Sequence, residues 1–147
     1  MSRTWVDAAL SSARVGRLAT VGDDGVVHVV PFCFAVVTGL VVSAVDHKPK
    51  RTARLQRLRD IESSGRATVL VDHYEEDWSR LWWIRVVGRA AVHERGSDVD
   101  VAARRALVEK YAQYARQEPT GPVYSIAIDE VSAWRGDEGV TLDDVGQ

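Results

Sequence analysis

Residues 16–37 read GRLATVGDDGVVHVVPFCFAVV. Two apolar, β-branched runs flank Asp23-Asp24-Gly25, and an Asp-Gly pair between such runs is a strong hairpin signal. Working outward, Thr38-Gly39 marks a second turn, and LVVSAV (40–45) reads as a third strand, short and apolar enough to be buried on both faces. RATVLVD (66–72) is a fourth strand. LWWIRVVGRAAVHE (81–94) is a long fifth, rich in aromatic and β-branched residues, and VYSIAIDEVSAW (123–134) is a sixth. Upstream, Thr4 and Asp7 stand at capping-box spacing, which predicts a helix from about Trp5 to Ala13. Leu55, Leu58 and Ile61 recur every three residues as one buried helical stripe that Gly65 ends. Ser97-Asp98 opens a third helix with Val99, Ala103, Ala106, Leu107 and Tyr111 toward the core, closed by Pro119, Gly121 and Pro122. Hairpins dominate this order. The expected fold is mainly β with helices on an antiparallel sheet, and six strands in so short a chain are expected to close into a small barrel, which removes exposed edges.

The 147 residues form one expected domain, 1–134, followed by an acidic tail, 135–147. A chain of that length buries enough surface to fold without disulfides or metal. Its single cysteine, Cys33, fits a reducing compartment, so a cytoplasmic protein is expected. The first ten residues are too polar for a signal peptide, and no apolar run reaches the roughly 18 residues of a membrane span. A formal net charge of −2 argues against a general nucleic-acid binder.

Against that mild acidity, HKPKRTARLQRLR (47–59) places six Lys or Arg between Lys48 and Arg59. The ordinary reading is a solvated helix face. The sharper reading starts from Lys48, Lys50 and Arg51, which crowd the entry of the helix, where its dipole favours anions over cations. With backbone amides at the same end, they suit a bound phosphate. Lys50, Arg54 and Arg57, at i, i+4 and i+7, lie on a face separate from the leucine stripe.

Other chemistry is missing. His28, His47, His73 and His93 have no partner at zinc-ligand spacing, so no metal site is expected. No glycine-rich phosphate loop and no nucleophile elbow occurs. Cys33 falls in an apolar strand run, where a thiol is usually inert. An enzyme with this inventory leaves the difficult chemistry to an organic cofactor, and no catalytic side chain is assigned.

YEEDWSRLWWIRV (74–86) carries three of the five tryptophans. Trp82 and Trp83 must point to opposite faces of their strand. One enters the core; the other needs a second surface, either a helix of the same chain or, as we expect, a second copy in a homodimer. Trp78 precedes the strand, and stacking on a flat ring and anchoring a loop are equally open to it.

The stretches GRLATVGDDGVVHVVPFCF, GLVVSAVDHKPKRTARLQRLR, RATVLVDHY and DWSRLWWIRVVGRAAV together resemble the split β-barrel flavin-binding superfamily of pyridoxamine 5′-phosphate oxidase. Within it they are most similar to the actinobacterial branch of probable coenzyme F-420 (deazaflavin) dependent oxidoreductases. The likeness runs from about Trp5 to Trp134. It implies a six-stranded antiparallel split barrel of the FMN-binding type, a homodimer, and a cofactor cleft between protomers. It assigns the cofactor phosphate to Lys48, Lys50, Arg51 and Arg54, although many relatives carry Asn where this chain has Arg54. It lines the ring with Val30, Pro31, Phe32, Ser43 and Ala44, and brings Trp78 to the cleft from the partner chain. The tail RGDEGVTLDDVGQ lacks the Arg-containing substrate motif of the oxidase itself, which points away from vitamin B6 oxidation. The implied function is hydride transfer between F-420 and a small organic acceptor. The alternatives are an FMN-dependent enzyme, for which Arg54 and Arg57 would be spare, a cofactor-binding protein without turnover, and a plain structural dimer.

Overall fold

The Asp-Gly hairpin forms where the sequence places it. Gly25 takes a positive φ of 80°, its amide donates to the Gly22 carbonyl at 2.9 Å, and the Val26 amide donates to Asp24 Oδ1 at 3.0 Å. Strand β1 (Gly16–Val21) pairs antiparallel with β2 (Val27–Phe32) from Gly16↔Phe32 to Val21↔Val27. The computed structural model describes residues 4–46 and 55–138. Helix α1 (Thr4–Ser12) precedes the hairpin. After it come β3 (Ala35–Val37), β4 (Leu40–Ala44), helix α2 (Gln56–Ser64), β5 (Arg66–His73) and β6 (Trp82–His93). Helices α3 (Asp98–Lys110) and α4 (Ala112–Arg116) and strands β7 (Val123–Ala127) and β8 (Glu130–Arg135) complete the order. Single 3-10 turns lie at Trp78–Arg80 and Gly136–Glu138. No helix among the described residues is long and apolar enough to cross a membrane.

Two predicted strands are each divided, so the sheet has eight strands rather than six. The first division falls at Cys33-Phe34. The Tyr111 hydroxyl accepts from the Phe34 amide at 3.0 Å, and the Phe34 carbonyl accepts from Lys110 Nζ at 2.8 Å. The end of α3 thus takes the backbone groups a continuous strand would give its neighbour. The second division, at Ile128-Asp129, lies beside Gly88, where a Cβ would stand 1.8 Å from the Ala127 carbonyl oxygen. Only glycine admits that approach. Here the chain leaves residues 90–93 of β6, which pair with β7, for residues 82–87, which pair with β8.

All the pairings are antiparallel. β6 is shared by the run β2-β1-β5-β6-β8 and the run β3-β4-β7-β6. Among the described residues no ladder joins β2 to β3, so the expected closed barrel is an open sheet with two runs. The break at Phe34 turns the chain from one run to the other without pairing its two halves.

The inner face carries the core. Leu18, Val69, Ile84, Val86 and Ile126 meet Leu58 and Ile61 of α2, each no more than 1% exposed. Gly65 ends α2 at φ 68°, as predicted, its amide donating to the Ile61 carbonyl at 2.8 Å. A second cluster packs Ala103, Leu107 and Tyr111 of α3 against Val42 and Val123. Ser97 caps α3 through the Asp100 amide. The single helix expected up to Pro119 is two helices, because Tyr111 leaves helical geometry at φ −115°, ψ 121° with its hydroxyl committed to the backbone of Phe34 and Arg14.

Candidate functional site

Where β2 ends and β4 runs out, a cleft of about 370 Å³ opens beside the start of α2. Pro31, Phe32 and Cys33 line it from the first strand pair, Ser43 and Ala44 from β4, and Leu55 and Arg57 from α2. Asp46, just before the basic segment, and Leu55, within it, both stand on its wall. Tyr114 reaches it from α4, donating its hydroxyl proton to Asp46 Oδ1 at 2.9 Å. Burial first, then the Asp46 carboxylate, pushes that phenol upward, so it remains a donor at any working pH.

The wall of the cleft is fixed from behind. Ser43 Oγ donates to the Cys33 carbonyl at 2.6 Å, tying β4 to the break after β2. Arg57 is half-buried, with Nη1 3.4 Å from the hydroxyl of Tyr124, a fully buried side chain of β7. For this one cation of the basic segment, the solvated-face reading fails. Cys33 is held protonated, chiefly by burial and then by Asp46, which leaves its thiol a poor nucleophile. It lies between two strands rather than inside one.

Four of the ten residues named from the resemblance therefore share this cleft: Pro31, Phe32, Ser43 and Ala44. Val30 does not line it; it packs against the core beside Phe32 and borders a neighbouring cavity. Trp78 is 66% exposed in its 3-10 turn, with Nε1 3.4 Å from the Tyr74 hydroxyl, and does not line the cleft of its own chain. Lys48, Lys50, Arg51 and Arg54 lie outside the described residues. Sequence reasoning missed Tyr114 and Asp46 as lining groups. Their signal is tertiary, a helix more than sixty residues downstream returning to the end of β4.

An antiparallel sheet in two runs about one long strand, with a cleft where the runs part, is a frame able to seat a flat ring against apolar walls and an anion near α2. A family model for pyridoxamine 5′-phosphate oxidase matches residues 4–135. The chain belongs to that family. Among solved structures it is similar to a conserved hypothetical protein from Mycobacterium tuberculosis, at 18% identity and a TM-score of 0.76, covering 96% of this chain and 89% of that one. A FAD-binding protein from Mesorhizobium loti is similar at 20% identity and a TM-score of 0.69, with 90% and 94% covered. HutZ, the heme storage protein from Vibrio cholerae, is similar at 12% identity and a TM-score of 0.70, with 90% and 93% covered. These likenesses share the fold alone. No match was found among curated protein sequences.

Proposed function

We propose that the protein is an oxidoreductase that binds a flavin-type coenzyme in this cleft and acts on a small organic acceptor. The observation that carries the reading is the convergence of Pro31, Phe32, Ser43 and Ala44 with the half-buried Arg57 around one opening whose wall bounds the basic segment. The donor set suits the group. Pro31, Phe32 and Leu55 give apolar walls for a ring, Ala44 leaves room beside it, and Arg57 supplies a fixed cation. Lys48, Lys50, Arg51 and Arg54 would hold the phosphate. When bound, the coenzyme supplies the hydride. The chain's own residues orient the ring and shield it from water.

Of the two candidate coenzymes we favour deazaflavin F-420, because six cations over twelve residues exceed what one phosphate needs and suit a longer anionic tail. A flavin is the second reading, favoured by the FAD-binding relatives of the same fold. Fluorescence titration of F-420 and of FMN into the purified protein separates them. Reversing charge at Lys50→Glu with Arg51→Glu should weaken the bound coenzyme by about 2–5 kcal/mol if those cations meet a desolvated phosphate. A folded double variant with unchanged affinity would remove that role.

We further propose that the working unit is a homodimer, with the cleft completed by Trp78 of the second copy. Support comes from the outer face of the β2-β1-β5-β6-β8 run, where Val27 and Val29 are each 61% exposed on the same side as the exposed Leu70. An apolar patch of that kind, on a sheet face that none of the described helices covers, is the usual mark of an interface.

A further inference from the structure

Beside the coenzyme cleft lies a second cavity, of about 430 Å³, whose lining includes Thr20, His28, Val30 and Gln56 and shares Leu55 and Arg57 with the first. Its polar corner is unusual. Asp60, on the inner side of α2, is only 1% exposed and accepts three hydrogen bonds: from Thr20 Oγ1 at 2.7 Å, Gln56 Nε2 at 2.8 Å and His28 Nδ1 at 3.0 Å. Burial alone would raise its pKa, but the donors, Thr20 foremost, outweigh that and hold it below the usual carboxylate value. An ionised, buried acceptor holds a proton on the Nδ1 that faces it and leaves Nε2 as the nitrogen able to meet a ligand. The His28 side chain is 36% exposed and borders the cavity, and among the described residues nothing is bonded to its Nε2. A clamp meant only to hold α2 on the hairpin needs the carboxylate and Thr20; it does not need an imidazole presented to an opening.

We propose that this cavity is the acceptor subsite, taking a small molecule with an apolar body and a conjugated carbonyl, and that His28 Nε2 meets the carbonyl oxygen and delivers a proton there. The proposal rests on the coenzyme reading above. Val30 and Leu55 supply the apolar wall. Leu55 and Arg57, common to both cavities, place an occupant of the second next to an occupant of the first. For a conjugated ketone the step balances as follows. A hydride from the reduced flavin or deazaflavin forms the new C–H bond at the β-carbon, and the electron pair moves onto the carbonyl oxygen. Nε2–H gives its proton to that oxygen, the enol returns to the ketone, and water reprotonates the imidazole. Asp60 stays ionised throughout and is a positioning residue. Among the described residues, Asp60 is the charged group bonded to His28 and Arg57 lines the same cavity, both from α2; β1 presents the uncharged Thr20.

The test uses cyclohex-2-enone as probe and two readouts. In the coenzyme-free chain, with histidines labelled by nitrogen-15, the enone should shift the His28 Nε2 resonance and leave those of His73 and His93 in place. In the coenzyme-loaded protein, His28→Gln should keep coenzyme affinity within about twofold while enone turnover falls about 100-fold, the scale of a lost proton donor. Asp60→Asn should lower enone turnover while coenzyme affinity stays within about twofold, whereas a merely structural loss would weaken both. An unmoved His28 resonance, or a folded His28→Gln protein with unchanged turnover, overturns the proposal. A protein that binds neither coenzyme sinks the preceding reading instead, and the resonance titration of the free chain then decides the subsite alone.

Discussion

Trp82 and Trp83 are neighbours in β6 with opposite surroundings. Trp82 packs inward, edge-on to Trp5 of α1 with ring centres 6.3 Å apart. Trp83 points outward, opposite Trp134 of β8, with the Arg85 guanidinium 5.4 Å from its ring centre. The same division runs along the whole β2-β1-β5-β6-β8 run. Its inner face holds Leu18, Val69, Ile84 and Val86 at zero exposure. Its outer face carries Val27, Val29 and Leu70, all exposed, interspersed with polar and charged residues such as Arg17, Arg66 and Glu130. Both faces are apolar, yet helices cover one. Hydrophobic patterning along a strand therefore identifies a surface that needs covering; it does not say whether the same chain supplies the cover.

The comparison can be broken by mutation. The largest effect is expected on the inner face: Ile84→Ala, at a fully buried site, should cost about 2–5 kcal/mol in denaturant unfolding. Val29→Ala, on the outer face, should cost well under 1 kcal/mol in an isolated chain. A large loss at Val29 that fades on dilution would show the outer face to be buried between copies. The next effect is on mass. Val29→Glu with Leu70→Glu should halve the molecular weight seen by sedimentation and leave the core intact, whereas a wild-type monomer would end the dimer proposal.

The smallest effect sharpens the break after β2, where α3 meets the strand. Burial, with Arg14 adding to it, lowers the pKa of Lys110 to about 8 although its ammonium bonds the Phe34 carbonyl. Between about pH 8 and pH 10 the unfolded chain holds a proton that the folded chain has released, so stability attributable to this group rises with pH. Wild-type protein should therefore gain stability relative to Lys110→Met across that interval in parallel urea titrations. A flat difference would show that the lysine is solvated and that the break is not held by a desolvated cation.

Local signals account for much of what was legible. The Asp-Gly hairpin, the turn at Thr38-Gly39, the Gly65 helix end and the Ser97 cap are each decided by a few adjacent residues whose backbone preferences act wherever they stand. The divided strands were not legible, because their causes come from distant chain. Phe34 is drawn out of a strand by Tyr111 and Lys110, some seventy-six residues away. The break at Ile128-Asp129 depends on the close approach of Gly88 to Ala127. The cleft divides in the same way. Pro31, Phe32, Ser43 and Ala44 were named from the family resemblance, while Tyr114 and Asp46 became neighbours only when α4 packed against the end of β4. The dyad of His28 and Asp60 had no sequence signal, since thirty-two residues separate its members and neither lies in a motif.

By itself, then, the amino-acid order determined the antiparallel strands, the amphipathic helices and a dense local positive charge, all properties of short segments. Tertiary structure alone decided that the sheet stays open in two runs, that one face is left bare, and that a buried carboxylate holds an imidazole beside a second cavity. The reason is physical: propensity and periodicity act over a few residues, whereas desolvation and hydrogen-bond competition depend on whatever the folded chain brings into contact.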